Sequence, residues 1–135
     1  MKTAVIYWSG TGNTEVMAQS LAESAGAELF SVSEFTGNIE DYEAVAFGCP
    51  AMGAEVLEEA EFEPFFSAVE SKLNGKKVAL FGSYGWGDGE WMRNWEERVK
   101  KDGAVLVHGE GLIVNEAPDD AALEQCRQLG RALAK

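Results

Sequence analysis

Short apolar runs, each followed by a segment whose apolar residues recur every three or four positions, restrict the folding of this chain more than any other feature. Ala4-Val5-Ile6-Tyr7-Trp8 is ended by serine and glycine, as a buried strand is. From Thr14 the period changes: Met17, Ala18, Leu21, Ala22 and Ala25 form one helical stripe, and Gly26 stops it. Residues 27–32 read as a second strand, 33–41 as a short polar connection, and 44–49 as a third buried strand closed by Pro50. Phe62, Phe65, Phe66, Val69 and Leu73 mark a helix that ends at Gly75, and 77–82 form a fourth strand. Trp91, Met92, Trp95 and Val99 mark the next helix, stopped by Gly103. Residues 104–108 and 112–114 read as one fifth strand with a glycine-containing break, and Ala122, Cys126, Leu129 and Leu133 as the last helix. Strands apolar on both faces, alternating with helices, predict a doubly wound α/β fold. Its five-stranded parallel sheet would be covered on both sides, with residues 1–135 forming one domain.

The formal net charge of −12 disfavours nucleic acid and anionic membranes as partners and favours basic proteins. The same charge favours a monomer. Cys49 and Cys126 lie far apart with no Cys-x-x-Cys pair, which argues against a disulfide framework, a zinc site and a dithiol redox centre; buried, inert thiols are expected. His108, the single histidine, falls in a valine-rich strand with no triad partner and reads as structural. No apolar run approaches the ~18 residues of a membrane span. Met1-Lys2-Thr3 leads directly into a strand without the features of a signal peptide, so the expected location is the cytoplasm.

In open α/β sheets ligands bind at the carboxyl ends of the strands. That rule points to residues 9–14, 50–55, 83–88 and 115–116. Ser9-Gly10-Thr11-Gly12-Asn13-Thr14 joins the first strand to the first helix, where backbone N–H groups and the helix dipole favour an anion. Ser9, Thr11 and Thr14 add hydroxyls and Asn13 an amide, and the loop holds no Lys or Arg. A phosphate here would be held by neutral donors alone. The Walker pattern fails because Asn13, Thr14 and Glu15 follow the second glycine; the dinucleotide pattern fails because Glu15 stands where its third glycine belongs. A phosphoryl-accepting receiver domain is also excluded: it needs acids where this chain has Tyr7-Trp8, and an aspartate where it has Cys49-Pro50.

The string Tyr7-Trp8-Ser9-Gly10-Thr11-Gly12-Asn13-Thr14-Glu15 resembles the signature of the flavodoxins. Gly48-Cys49-Pro50-Ala51-Met52-Gly53 resembles the second flavin loop of their short-chain, clostridial-type members, and Leu80-Phe81-Gly82-Ser83-Tyr84-Gly85-Trp86-Gly87 resembles the third. Ile113-Val114-Asn115-Glu116-Ala117-Pro118-Asp119 resembles the segment before the last helix, so the resemblance spans the chain. It implies strand order 2-1-3-4-5, non-covalent FMN, and low-potential one-electron transfer between ferredoxin-like reductases and low-potential oxidoreductases. It also implies that Ser9, Gly10, Thr11, Gly12, Asn13 and Thr14 hold the phosphate. Pro50, Ala51, Met52, Gly53, Ala54 and Glu55 would flank the ring, with Met52 on one face and Glu55 at the N3 edge. Ser83, Tyr84, Gly85, Trp86 and Gly87 would meet the pyrimidine side, with Trp86 on the other face, and Asn115 would touch the ribityl chain.

Residue chemistry bears on several of these roles. Trp86, between two glycines in a loop, has no strand or helix neighbour and suits stacking on a flat ligand, whereas Trp91 and Trp95 lie on a helix stripe and read as core. Met52 is equally a soft ring contact or a gap-filler. The resemblance implies that the Gly53–Ala54 peptide turns over when the ring is reduced, bringing the Gly53 carbonyl to N5. Ala54 tolerates a positive φ poorly, so the sequence places that conformation at Gly53 and favours the carbonyl-in form. Glu55, Glu58, Glu59, Glu61, Glu63, Asp88 and Glu90 follow two of the loops. A carboxylate ~8 Å from an anionic reduced ring costs it ~2 kcal/mol at an effective dielectric of ~20, or ~90 mV for one electron. The alternative is an FMN-dependent quinone reductase, which needs an open ring face that Met52 and Trp86 would cover.

Overall fold

A computed structural model describes residues 2–135. The chain runs β1 (Thr3–Tyr7), α1 (Asn13–Ala25), β2 (Glu28–Ser31), β3 (Ala44–Gly48), α2 (Phe62–Val69), β4 (Lys77–Tyr84), α3 (Glu90–Lys101), β5 (Val105–Leu106), β6 (Leu112–Asn115) and α4 (Asp120–Ala134). All pairings between named strands are parallel, in the order β2-β1-β3-β4-β5. The fifth place is shared. β5 pairs with Lys77 and Val78 at the start of β4, and β6 pairs with Phe81 through Tyr84 at its end. Between them a 3-10 turn, Val107–Gly109, carries the chain off the sheet with His108 at φ 63°. His108 therefore stands in the turn and not in a strand. Alternation of valines predicted a strand there, but the glycines at 109 and 111 release the chain, and Glu96 on α3 accepts the Gly111 N–H at 2.7 Å.

The continuous apolar strands are explained by burial on both faces. Ala4 and Ile6 of β1, Val45 and Phe47 of β3, and Val78 and Leu80 of β4 pack towards α2 and α3. Their neighbours Val5 and Tyr7, Ala44 and Ala46, Ala79 and Phe81 pack towards α1 and α4. The first face is aromatic: Phe47 and Phe66 meet edge to face at 5.2 Å, and Trp95 meets Phe62 at 5.5 Å. Trp91 and Trp95 are buried, as their helical spacing required. No helix among the described residues is long and apolar enough to cross a membrane.

At the far end of α3, Arg98 clamps α2 and its 3-10 extension, Glu70–Lys72. Its guanidinium bonds Glu63 at 2.7 and 2.8 Å and Glu70 at 2.8 and 2.9 Å, and lies 4.8 Å from the Phe66 ring centre. These bonds hold both carboxyls below the usual range. Asp102 closes the cluster with a buried Oδ2 that no donor among the described residues reaches. Burial, then the neighbouring Glu70 carboxylate, pushes its pKa up to about 6. A raised folded-state pKa stabilises the fold below the unfolded value of ~3.9, and that contribution is lost as pH rises through 6. Asp102→Asn mimics the protonated form. It should raise stability at pH 7 by about 1 kcal/mol after allowing for solvent screening, with no gain at pH 4, measured as denaturant midpoints at both pH values.

Candidate functional site

The carboxyl ends of β1, β3, β4 and β6 open on one edge of the sheet, where three loops meet. In the first, Ser9 Oγ accepts the N–H groups of Gly12 at 3.1 Å and Glu15 at 3.2 Å, folding the loop onto the start of α1. Gly12 is the N-cap residue at φ 99°, a conformation that glycine adopts freely, and no side chain caps the helix from that position. The N–H groups of Gly10, Thr11 and Thr14 find no acceptor among the described residues. Three free donors thus gather at the positive end of a 13-residue helix, a charge-neutral cradle for an anion. Thr14 is buried. Its Oγ1 lies 3.0 Å from Ser83 Oγ and accepts the Ser83 N–H at 3.3 Å. With Ser83 Oγ as donor, the Thr14 hydroxyl proton is left for a ligand oxygen.

The second loop is braced from beneath. Trp91 Nε1 donates to the Cys49 carbonyl at 3.1 Å, Ala51 N–H to Ser83 O at 3.0 Å, and Glu58 N–H to Cys49 Sγ at 3.4 Å. Burial pushes the Cys49 thiol up to about 12 and Cys126 to about 11, so both are the inert thiols their spacing implied. Met52 and Val56 exchange two backbone bonds of 2.9 and 3.0 Å, leaving Gly53, Ala54 and Glu55 as a three-residue tip. Gly53 takes φ 49° and Ala54 has no positive φ, as the side chains require; Glu55 adopts φ 56°, which the sequence did not announce. Glu58 is buried and its carboxylate accepts the N–H groups of Phe62, Glu61 and Ala60 at 2.8–2.9 Å. Burial opposes its charge, but those three donors prevail and hold its carboxyl below the usual range.

In the third loop the N–H groups of Gly85, Trp86 and Gly87 have no acceptor among the described residues, and Trp86 is 65% exposed. A cleft of about 220 Å³ joins the loops: Gly10, Thr11 and Asn13 from the first, Pro50, Ala51 and Met52 from the second, Ser83, Tyr84 and Gly85 from the third. Ser9, Gly12, Thr14, Gly53, Ala54, Glu55, Trp86, Gly87 and Asn115 lie outside its wall. Asn115 Nδ2 instead donates to the Tyr84 carbonyl at 3.2 Å. Trp8 and Glu116 line the cleft and were assigned no role from the sequence. Trp8 carried a signal, since alternation puts it on the face of Ala4 and Ile6 at the strand's open end. Glu116 falls in the 115–116 segment that the strand-end rule marked, but its φ of 58° depends on the turn after β6.

A larger polar cleft of about 390 Å³ lies beyond Trp8, between the ends of β1 and β2. Its walls include Glu15, Glu34 and Glu61, and the Tyr7 hydroxyl within it is pushed up to about 12 by burial and by donation to Glu15. Three carboxylates make it a poor anion site. The smaller cleft combines free N–H donors at one end with apolar walls.

The flavodoxin family model matches residues 5–130. The chain belongs to the flavodoxin family. It is 48% identical to the flavodoxin of Megasphaera elsdenii over 97% of both chains, and 47% identical to that of Clostridium beijerinckii over 96% of this chain and 97% of the other. The solution structure of two-electron reduced Megasphaera elsdenii flavodoxin superposes with a TM-score of 0.83 over 98% of both chains at 45% identity. An archaeal flavodoxin superposes at 0.85 with 26% identity, covering 99% of this chain and 96% of that one. As a flavodoxin, this chain is an FMN-binding electron carrier and not an enzyme.

Thr14→Val keeps the shape of the side chain and strands the buried Ser83 N–H and hydroxyl. Unfolding of the FMN-free protein in urea should show a loss of about 1–3 kcal/mol.

Proposed function

We propose that the three loops hold one FMN per chain and present its ring edge to basic redox partners. Ser9–Thr14 grip the phosphate, Pro50–Glu55 and Ser83–Gly87 flank the ring, and Asn115 braces the ribityl side. Met52 covers one ring face and Trp86 the other. The observation that carries the reading is the set of free N–H donors at Gly10, Thr11 and Thr14, which suits a phosphate dianion without adding positive charge. Bound FMN supplies one-electron chemistry at low potential. The free N–H groups of Gly85–Gly87 suit the carbonyl oxygens of a pyrimidine ring. Glu55 Oε1 receives two protein donors while its Oε2 is bonded to none among the described residues, which leaves that oxygen for the ring's N3–H.

The charge distribution supports a basic partner. All seven lysines, at 2, 72, 76, 77, 100, 101 and 135, fall just before or at strand starts or at helix ends, on the sheet edge opposite the cleft. Glu59 and Glu90 lie on the cleft side, beside Asp88 paired with Arg93 at 3.0 Å, and the exposed apolar residues Val56 and Trp86 stand among them. The resulting field turns the cleft edge towards a cation-bearing protein. Of the other acids expected to colour the potential, Glu58 and Glu63 are tied into helix caps and ion pairs, so they act at fixed positions. The whole chain, 1–135, works as one FMN-binding domain, as a monomer in the cytoplasm.

The test is titration of FMN-free protein with FMN. A yellow complex of one FMN per chain is expected, and a preparation that binds none overturns the proposal. Trp86→Ala should weaken binding at least tenfold, since one aromatic stack is worth about 0.5–1.5 kcal/mol beyond its buried area. Reduction by a basic reductase should slow as salt rises. Ala54→Gly removes the side chain that confines the positive φ to Gly53, so it should change the gap between the two one-electron potentials. An unchanged gap would remove Ala54 from the account.

A further inference from the structure

Glu55 sits at the tip of the second loop in a left-handed conformation, φ 56°, that L side chains rarely adopt. Its carboxylate leaves its own loop. Oε1 accepts the N–H of Gly89 at 3.2 Å and of Glu90 at 3.0 Å, at the N-terminus of α3, thirty-four and thirty-five residues along the chain. Gly89 is the N-cap residue of that helix at φ 94°, with no side chain of its own to cap it. Glu55 therefore supplies from another loop the capping oxygen that α3 lacks. The space for this carboxylate exists because residue 87 is glycine. At φ 87°, a Cβ on Gly87 would lie 2.5 Å from Glu55 Cδ and 2.7 and 2.8 Å from its two oxygens. Trp86 is the residue immediately before that glycine.

We propose that Glu55 is a positioning residue: its carboxylate latches the Gly53–Glu55 tip to the start of α3 and so sets the pose of the Trp86 loop. The two loops flanking the cleft then shift as one body. The Met52–Val56 bonds make the tip a closed unit, so a constraint on Glu55 reaches Gly53 within two residues. On the α3 side, the same two N–H bonds begin the helix that Trp91 and Trp95 anchor in the core. The proposal rests on the FMN reading above only for its consequence in binding; the latch itself is a property of the protein.

Hydrogen exchange at the Gly89 and Glu90 amides, followed by NMR in the FMN-free and FMN-loaded protein, reads the latch directly. Glu55→Ala should speed exchange at both amides about tenfold, the loss of roughly one hydrogen bond each. Glu55→Gln, whose amide oxygen can still accept, should restore protection. Glu55→Asp, one methylene shorter, should not. The Gln variant also separates the two roles of the residue. With its oxygen on α3, it turns an NH₂ towards the ring's N3–H, so FMN affinity should remain reduced although the amides are protected. In a double-mutant cycle, Gly87→Ala should weaken FMN binding several-fold less in the Glu55→Ala background than in the wild type, because the clash it creates is with the carboxylate. Unchanged Gly89 and Glu90 exchange in Glu55→Ala, or strict additivity with Gly87→Ala, overturns the latch. Wild-type affinity in Glu55→Gln with protected amides removes only the ring contact and leaves the latch standing.

Discussion

At Ser83 the end of β4 is bonded to both neighbouring loops. Its carbonyl accepts Ala51 N–H from the second loop, and its N–H and hydroxyl meet Thr14 from the first helix turn. The residue is buried, so none of these bonds competes with water, and each unmade one would carry the full desolvation cost. The free-donor loop at α1, the walls of the cleft and the start of the third loop all take their relative positions from this junction. The sheet supplies its rigidity, because β4 is paired on both sides and packed on both faces.

Around that junction the acidic residues divide into two kinds. Glu58 and Glu55 place carboxylates on helix N-termini, where backbone N–H groups and the dipole favour negative charge. Glu63 and Glu70 share Arg98, which ties α2 to α3 on the aromatic face of the core. Glu61 accepts the Trp8 indole N–H at 3.1 Å and closes the wall between the two clefts. The remaining acids at that edge, Glu59 and Glu90 among them, are left to shape the field. A run of glutamates that reads as one charged stretch is thus partly a set of structural fastenings.

Much of the fold was legible because its signals are local. Apolar runs doubly buried by helices stay continuous, and glycine ends the helical stripes at Gly26, Gly75 and Gly103. The junction of the fifth strand was partly legible: the break was visible, but the turn that carries His108 off the sheet depends on how β5 and β6 divide β4 between them. In the site, the donor-rich loop at the start of α1 could be located from composition, and the positive φ at Gly53 followed from its neighbour being alanine. The partner of Thr14, sixty-nine residues away, had no local mark, and neither did the capping of α3 by Glu55.

The sequence by itself determined the order of elements, the neutral donor loop at the first helix and the exposed tryptophan between two glycines, since each follows from the chemistry of adjacent residues. The tertiary structure alone decided which oxygen meets which N–H across loops distant in the chain: Thr14 on Ser83, Glu61 on Trp8, Glu55 on Gly89 and Glu90. Those pairings are fixed by how strand ends stack along one edge of a parallel sheet, a spacing that no stretch of sequence contains.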